Sequence, residues 1–326
     1  MSTILVTGGA GYIGSHTCKA LHAAGHTPVV YDNLSNGHRN AVRWGPFEQG
    51  DITDRDRLRD VLAAHRPEAV IHFAGLIEVG HSVRDPGSFW HANVVGTWKL
   101  LAAMRDAGVG RIVFSSTAAV YGIPDTVPIP EDAPTVPVNP YGDTKRAVET
   151  MLANHAAADG LRYAALRYFN AAGADPDGEL GERHDPETHL VPLVLQVALG
   201  QRDEIAVFGN DYPTPDGTAV RDYVHVADLA AAHVAAVAHL DANEAPLVAN
   251  LGTGTGYSVR EIIETCRAVT GHAIPHRDAA RRAGDPPQLV AAADRAKDAL
   301  GWTPANSDLE TIVASAWRWH SENPVP

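Results

Sequence analysis

The chain has 326 residues, 45% of them hydrophobic, and its 26 Lys and Arg against 39 Asp and Glu give a net charge of −13. This length suits one large or two unequal domains with ample core, and the acid excess argues against a nucleic-acid partner, since nothing supplies a broad basic face. No apolar run approaches the roughly 20 residues of a membrane span, and no secretory leader precedes the first strand. Cys18 and Cys266 lie far apart, without ligand-like spacing, as suits a reduced cytoplasm.

Ile4-Leu5-Val6 reads as a short apolar strand, Gly8 to Gly14 as a glycine-rich turn, and a helical pattern follows to about Gly25. Strands are predicted at Pro28–Tyr31, ending at Asp32, at Phe47–Asp51 and at Ala69–Phe73, with a helix from about Asp54 to His65. A long helix over Ser88–Ala107 leads to a strand at Arg111–Ser115. After a proline-rich stretch, 124–140, come a helix bearing Tyr141 and a strand at Tyr163–Arg167. Apolar strands alternating with helices predict an α/β fold, a doubly wound parallel sheet with helices on both faces, over residues 1–170.

Beyond Asn170 the rhythm changes. Residues 171–188 read as a loop. Helices are expected at 190–200, 226–240, 258–269 and 308–320, with short strands near 205–208 and 247–250. This predicts a smaller C-terminal α/β substrate domain, 171–326, from which the 226–240 helix can return to the first. His22 and His26 have helical metal-pair spacing, but Gly25 ends that helix, so no metal site is expected.

Thr7-Gly8-Gly9-Ala10-Gly11-Tyr12-Ile13-Gly14 follows a strand and opens a helix. Glycines there allow a tight turn and close backbone approach to a pyrophosphate at the helix N-terminus, the Rossmann-type arrangement. Asp32 ends the next strand 18 residues after Gly14. A carboxylate there accepts from ribose hydroxyls and repels a 2′-phosphate, so the expected cofactor is NAD and not NADP. Asp51 suits either an adenine contact or a loop cap. A second cluster, Gly252-Thr253-Gly254-Thr255-Gly256, lacks the acid-ended strand and reads as a structural loop.

In Asn139-Pro140-Tyr141-Gly142-Asp143-Thr144-Lys145, Asn139 can cap a helix and Pro140 suits its first position. Tyr141 and Lys145 then share one face, one turn apart. A free phenol, with a pKa of about 10, is a poor base near neutrality. A nearby ammonium and the positive end of a helix dipole favour the phenolate. The pair is therefore a candidate proton acceptor and its stabiliser.

These stretches, with Gly50-Asp51-Ile52, His72-Phe73-Ala74-Gly75, Asn93, Phe114-Ser115-Ser116-Thr117 and Arg167-Tyr168-Phe169-Asn170, occur in the order seen in extended short-chain dehydrogenases/reductases. Phe208–Thr214, Gly217-Thr218, Val220–Val226 and Asn250-Leu251-Gly252 narrow the resemblance to the UDP-glucose 4-epimerases within that family. The resemblance implies an isomerase that interconverts UDP-galactose and UDP-glucose. Tyr141 takes the proton of the sugar 4-hydroxyl, NAD takes the hydride, and the 4-keto sugar turns over before both return. It implies catalytic roles for Tyr141, Lys145 and Thr117. It places NAD against Gly8, Gly11, Tyr12, Ile13, Gly14, Asp32, Asn33, Asn36, Asp51, Ile52, Phe73, Ala74, Gly75, Asn93, Tyr141, Lys145 and Tyr168. The UDP-sugar is expected at Thr117, Tyr141, Phe169, Asn170, His189, Leu190, Ile205, Phe208, Arg221, Arg282, Asp285 and Leu289. A homodimer through the Ser88–Ala107 and Tyr141-bearing helices is implied as well.

Related dehydratases carry an acidic pair after the Thr117 position, where this chain has Ala118-Ala119. Elimination of water thus lacks its acid and base. Three departures from the epimerase pattern stand out: Ile77 where a lysine is common, His189 where an asparagine is usual, and Leu289 at a position that gates the sugar 2-substituent. Leu is intermediate in size there, so 4-epimerisation of N-acetylated or uronic-acid UDP-sugars is the alternative. A non-catalytic NAD sensor is a further one, disfavoured by Tyr141, Lys145 and Thr117.

Overall fold

The computed structural model describes residues 2–282 and 285–323. The first half alternates strand and helix: β1 (Thr3–Thr7), α1 (Tyr12–Ala23), β2 (Thr27–Asp32), β3 (Phe47–Gln49), α2 (Arg55–His65) and β4 (Ala69–His72). Short helices α3 (Val79–Arg84) and α4 (Pro86–Phe89), a π-helical turn (Trp90–Val95) and α5 (Gly96–Ala107) precede β5 (Arg111–Ser115), α6 (Pro140–Asp159) and β6 (Arg162–Tyr168). The second half holds β7 (Asn170–Ala172), α7 (Leu190–Ala198), β8 (Ile205–Phe208), β9 (Val220–Arg221), β10 (Tyr223–His225), α8 (Val226–Ala242) and β11 (Leu247–Leu251). It ends with β12 (Tyr257–Ser258), α9 (Val259–Thr270), β13 (His276–Ala279), β14 (Gln288–Leu289), α10 (Asp294–Leu300) and α11 (Leu309–Glu322).

The central sheet has seven parallel strands in the order β11-β6-β5-β4-β1-β2-β3. Its strands are buried almost throughout, as expected of a sheet covered on both faces. Alternation divides their side chains between two cores. Ile4, Val6, Val30, Ile71, Val113 and Leu166 point to one. Leu5, Val29, Tyr31, Val70, Ile112 and Phe114 point to the other. Strand order reverses between β1 and β4, which opens a crevice at the carboxyl ends of the strands, where ligands of such sheets sit.

The second half contributes to this layer, because β11 extends the sheet beside β6 and α8 packs against α1. A separate apolar core gathers α7, α9 and α11 around β8. The helix expected over Ser88–Ala107 runs unbroken from Pro86, and a π-helical stretch within it, Trp90–Val95, turns Asn93 inward to bind the Leu76 backbone. Such bulges often occur where a helix presents a side chain for function. The strand beginning at Phe47 stops at Gln49 rather than Asp51, because the Asp51 carboxylate turns the chain by accepting from Thr53.

The glycine cluster 252–256 has a packing explanation. A Cβ at Gly252 would lie 2.6 Å from the Asp222 carboxylate, and one at Gly256 would lie 2.5 Å from Val220. Buried Asp222 accepts from the Thr253 backbone and hydroxyl and from Ala291 N, which ties this loop to β14.

Candidate active site

The turn after β1 is built by steric necessity. Gly8 has φ +72°, and a Cβ on it would lie 2.6 Å from Ala74 N. A Cβ on Gly14 would lie 2.2 Å from Gly8 O, so α1 can approach the turn only without a side chain there. Gly11 differs, since its nearest neighbour would be Gly8 O at 3.2 Å. Packing demands least of Gly11, which leaves its face as a shallow cradle at the N-terminus of α1. Ile13 packs into the core beneath, and Tyr12 reaches across to donate to Gly173 O at 2.6 Å.

Asp32 is 7% exposed and accepts from Ala10 N at 3.0 Å and Leu34 N at 2.8 Å. Burial raises its pKa and those two amides oppose the rise. The carboxylate therefore stands at the rim of the crevice, fixed by the turn it faces. Asn33 donates to Asp51 at 2.7 Å, and three hydrogen bonds overcome burial to hold the Asp51 carboxyl below its usual range. Asp51 thus serves the loop cap in this structure. Ile52 is buried against Gly96, and Asn36 lines a small cavity with Ile77 and His189. Phe73 lies against the His233 ring, and Ala74 borders the second core. Gly75 sits so close to Asn93 that a Cβ would meet its Oδ1 at 2.8 Å. Asn93 itself spends its amide on Leu76 and Thr144, and so shapes the crevice floor.

Tyr141 and Lys145 emerge from the first turns of α6. Asn139 accepts from Gly142 N at 2.9 Å and Pro140 occupies the first position, as the sequence predicts. Lys145 is 3% exposed and donates to Ser115 O at 2.9 Å; its Nζ lies 5.8 Å from the centre of the Tyr141 ring. The expected lowering of the Tyr141 pKa is not what the protein alone produces. Burial pushes it up to about 12, with Thr117 pulling the other way. Burial also brings Lys145 down to about 8, against the charge of Glu149. The ammonium is committed to a carbonyl and, among the described residues, no cation lowers the phenol's pKa, so desolvation wins. Tyr168 completes this wall, its OH 2.6 Å from Ser115 Oγ.

Sequence reasoning missed the layer beneath. Glu149 and Arg167 form a buried bidentate pair at 2.9 and 2.5 Å, and Ser116 Oγ donates to the same Glu149 oxygen at 2.5 Å. Arg167 also donates to Tyr121 OH, which donates to Asn250. This network holds residues 115–117, hence both the lysine's acceptor and Thr117. Buried His72 bridges Thr7 and Thr97 as a neutral imidazole, lowered to about 3 by burial. Glu149 lies four residues after Lys145 on the same face, and that spacing was the available signal.

The second half supplies the facing wall. β9 pairs with β14 so that Arg221 stands opposite Leu289. Arg221 forms an ion pair with Asp285, and the Arg282 guanidinium stacks 4.3 Å from the Phe208 ring centre. Leu289 and Phe169 pack on the cluster around Tyr121 and Ile129. Asn170 N donates to Asp222 O, between β9 and β10. Ile205 is apart from these, since its side chain is buried in the second-half core, which Leu190 borders. His189 precedes α7 and pairs with Glu182. Burial opposes its protonation, but Glu182 prevails and raises its pKa. Among the described residues, no helix is long and apolar enough to cross a membrane.

Residues 4–252 match the model of the NAD dependent epimerase/dehydratase family. A UDP-glucose 4-epimerase of Rhizobium leguminosarum bv. trifolii is 54% identical over 321 residues, covering 98% of each chain. The crystal structure of UDP-glucose 4-epimerase from Brucella ovis in complex with NAD is 53% identical, with a TM-score of 0.95 over 97% of this chain and 98% of that one. The enzyme of that name from Bifidobacterium longum, in complex with NAD⁺ and UDP, is 40% identical, with a TM-score of 0.95 over 99% of both chains.

Proposed function

This chain belongs to the NAD dependent epimerase/dehydratase family, and on that premise we propose that it is an isomerase that interconverts UDP-galactose and UDP-glucose through a transient 4-keto sugar, with Tyr141 as base. The observation that carries the reading is the pair of partly buried Tyr141 and buried Lys145, beside Thr117 at the carboxyl ends of the strands, with Ala118-Ala119 where elimination would need carboxylates.

The crevice fits NAD. Gly11 leaves a cradle that a Cβ would fill, at the N-terminus of α1, where anions are favoured. Asp32 stands at the ribose end. When bound, NAD supplies the hydride acceptor and donor for carbon 4. Tyr141 removes and returns the proton of the 4-hydroxyl, with Thr117 bonded to its phenol oxygen. Lys145 holds positive charge near the ring and is anchored by Ser115 O. Arg221 and Arg282 supply the cations for the UDP diphosphate, Asp285 an acceptor for the uridine ribose, and Phe208 an apolar wall.

Residues 1–170 form the cofactor domain in this reading and 171–326 the UDP-sugar domain, with α8 and β11 returning to the first. Trp90, Val95 and Trp98 are 36–51% exposed on the segment from Ser88 to Ala107. A homodimer covering that face would account for them. Two buried free cysteines suit the reduced cytoplasm.

Turnover with the glucose, N-acetylglucosamine and glucuronic acid pairs tests the substrate. The glucose pair is expected to be preferred, and preference for an N-acetylated pair would sink the assignment. Leu289→Tyr should lower kcat/KM for the N-acetylated pair by roughly 10–200-fold while sparing the glucose pair, the usual range for crowding one substituent. An equal effect on both pairs removes Leu289 from the gate. Asp32→Asn should weaken NAD binding about 10–100-fold, since a charged hydrogen bond contributes roughly 1.5–3 kcal/mol. It should also narrow the preference over NADP. Unchanged NAD affinity in a calorimetric titration would place Asp32 outside the ribose site.

A further inference from the structure

The loop ahead of α7 brings Glu182, His184, Glu187 and His189 together, and the reaction above does not use them as a group. Their ligand atoms all lie within 4.8 Å of one another. His184 Nδ1 stands 3.2 Å from Glu182 Oε1 and 3.7 Å from Glu187 Oε2. His189 Nδ1 contacts the same Glu182 oxygen and lies 3.8 Å from Glu187 Oε1. Metal–ligand bonds of about 2.0–2.2 Å at tetrahedral angles set neighbouring donors about 3.3–3.6 Å apart. Two imidazole nitrogens and two carboxylates are therefore gathered with three of these separations near that spacing, while the His189–Glu182 contact is a direct hydrogen bond that would have to open for both to ligate one ion.

A second observation points the same way. His184 Nδ1 is buried, yet it makes no hydrogen bond of acceptable geometry among the described residues, although both carboxylates are near. The carboxylates are held from outside the cluster centre. Glu187 Oε1 accepts from the amides of Thr188 and His189 at 2.7 and 2.8 Å. Glu182 is 3% exposed, and its carbonyl accepts from Trp319 Nε1. The nearby acidic group Asp175, Asp177 and Glu179 is different in kind, because the Lys19 ammonium already fills it at 2.7–2.8 Å. Lysine cannot become a ligand while charged, whereas imidazole becomes one by losing a proton.

We propose that Glu182, His184, Glu187 and His189 bind one divalent transition-metal ion, zinc by its ligand types. Two carboxylates and two neutral imidazoles balance its charge. The His184 ring meets Tyr12 edge to face, with centroids 6.4 Å apart. A bound ion would thus clasp this loop against the turn that opens α1. The proposal does not depend on the identity of the sugar.

Full-length protein is stripped with a chelator, incubated with zinc chloride, desalted and assayed for metal by mass spectrometry. The wild type is expected to retain about one equivalent and to gain thermal stability that the chelator reverses. Glu187→Gln and His184→Asn should each retain less than about a tenth of an equivalent, with far-UV circular dichroism unchanged and no zinc-dependent shift in Tm. Cobalt in the wild type should show the intense visible bands of a tetrahedral ion, which stay informative if a variant fails to fold. No retained zinc in the wild type, retention in both variants equal to that of the wild type, or a weak octahedral cobalt spectrum overturns the proposal.

Discussion

Tyr141→Phe is expected to lower kcat by roughly 10²–10⁴-fold, the usual contribution of a positioned acid–base group, while bound NAD is retained. The substitution removes one oxygen from a partly buried ring and leaves its packing in place. Lys145 keeps its bond to Ser115 O, so the lysine's geometry survives the change. The pH profile separates a base from a mere wall residue. Wild-type kcat/KM should climb with pH, because a protonated phenol cannot accept the substrate proton. The residual rate of the Phe variant should lack that limb.

The protein alone holds the phenol at about 12, since burial outweighs Thr117. A working base near neutrality therefore needs additional positive charge at the phenol, and a bound oxidised nicotinamide carries one. Absorbance titration of the phenolate, with and without NAD, should show its pKa lowered by the cofactor. A Phe variant with near wild-type kcat, or a phenol insensitive to NAD, removes Tyr141 as the base.

The parts of this site that were legible in the sequence are those whose cause is local. Asn139-Pro140 fixes the start of α6 within four residues, so the Tyr141–Lys145 face follows from helical spacing. Gly8 and Gly14 answer to contacts within the turn and with the strand beside it. What escaped the sequence depends on long-range pairing. Glu149 meets Ser116 across 33 positions and Arg167 across 18, and neither spacing is periodic. β11 is a short apolar run like many others, and only its register with β6, Leu247 opposite Ala164, places it in the central sheet. Asn93 lies in a π-helical turn that directs its amide to the Leu76 backbone. Nothing in the residue types of Trp90–Val95 distinguishes that turn from ordinary helix.

Glu149→Ala tests whether the hidden layer organises the visible one. Arg167 is 6% exposed and would lose both carboxylate oxygens. Removing one partner of a buried ion pair costs about 3–5 kcal/mol, because the remaining charge is left in a low-dielectric site. For a chain of this size, that predicts a fall in Tm on the order of 5–10 °C. Ser116 loses its acceptor in the same step, so the strand end bearing Ser115 O and Thr117 should loosen, and kcat should fall more than KM rises. Glu149→Leu with Arg167→Met replaces both charges by apolar groups of similar length. That pair should recover much of the lost stability, and the cycle should give a coupling of about 2 kcal/mol or more. It should not recover full activity, because Ser116 remains without its acceptor and Tyr121 without the donation from Arg167. Denaturant midpoints for the wild type, Glu149→Ala, and the two single and one double variant of the cycle decide the matter. If Glu149→Ala costs less than about 1 kcal/mol, well under the range for a buried pair, the network does not hold the catalytic strand end in place.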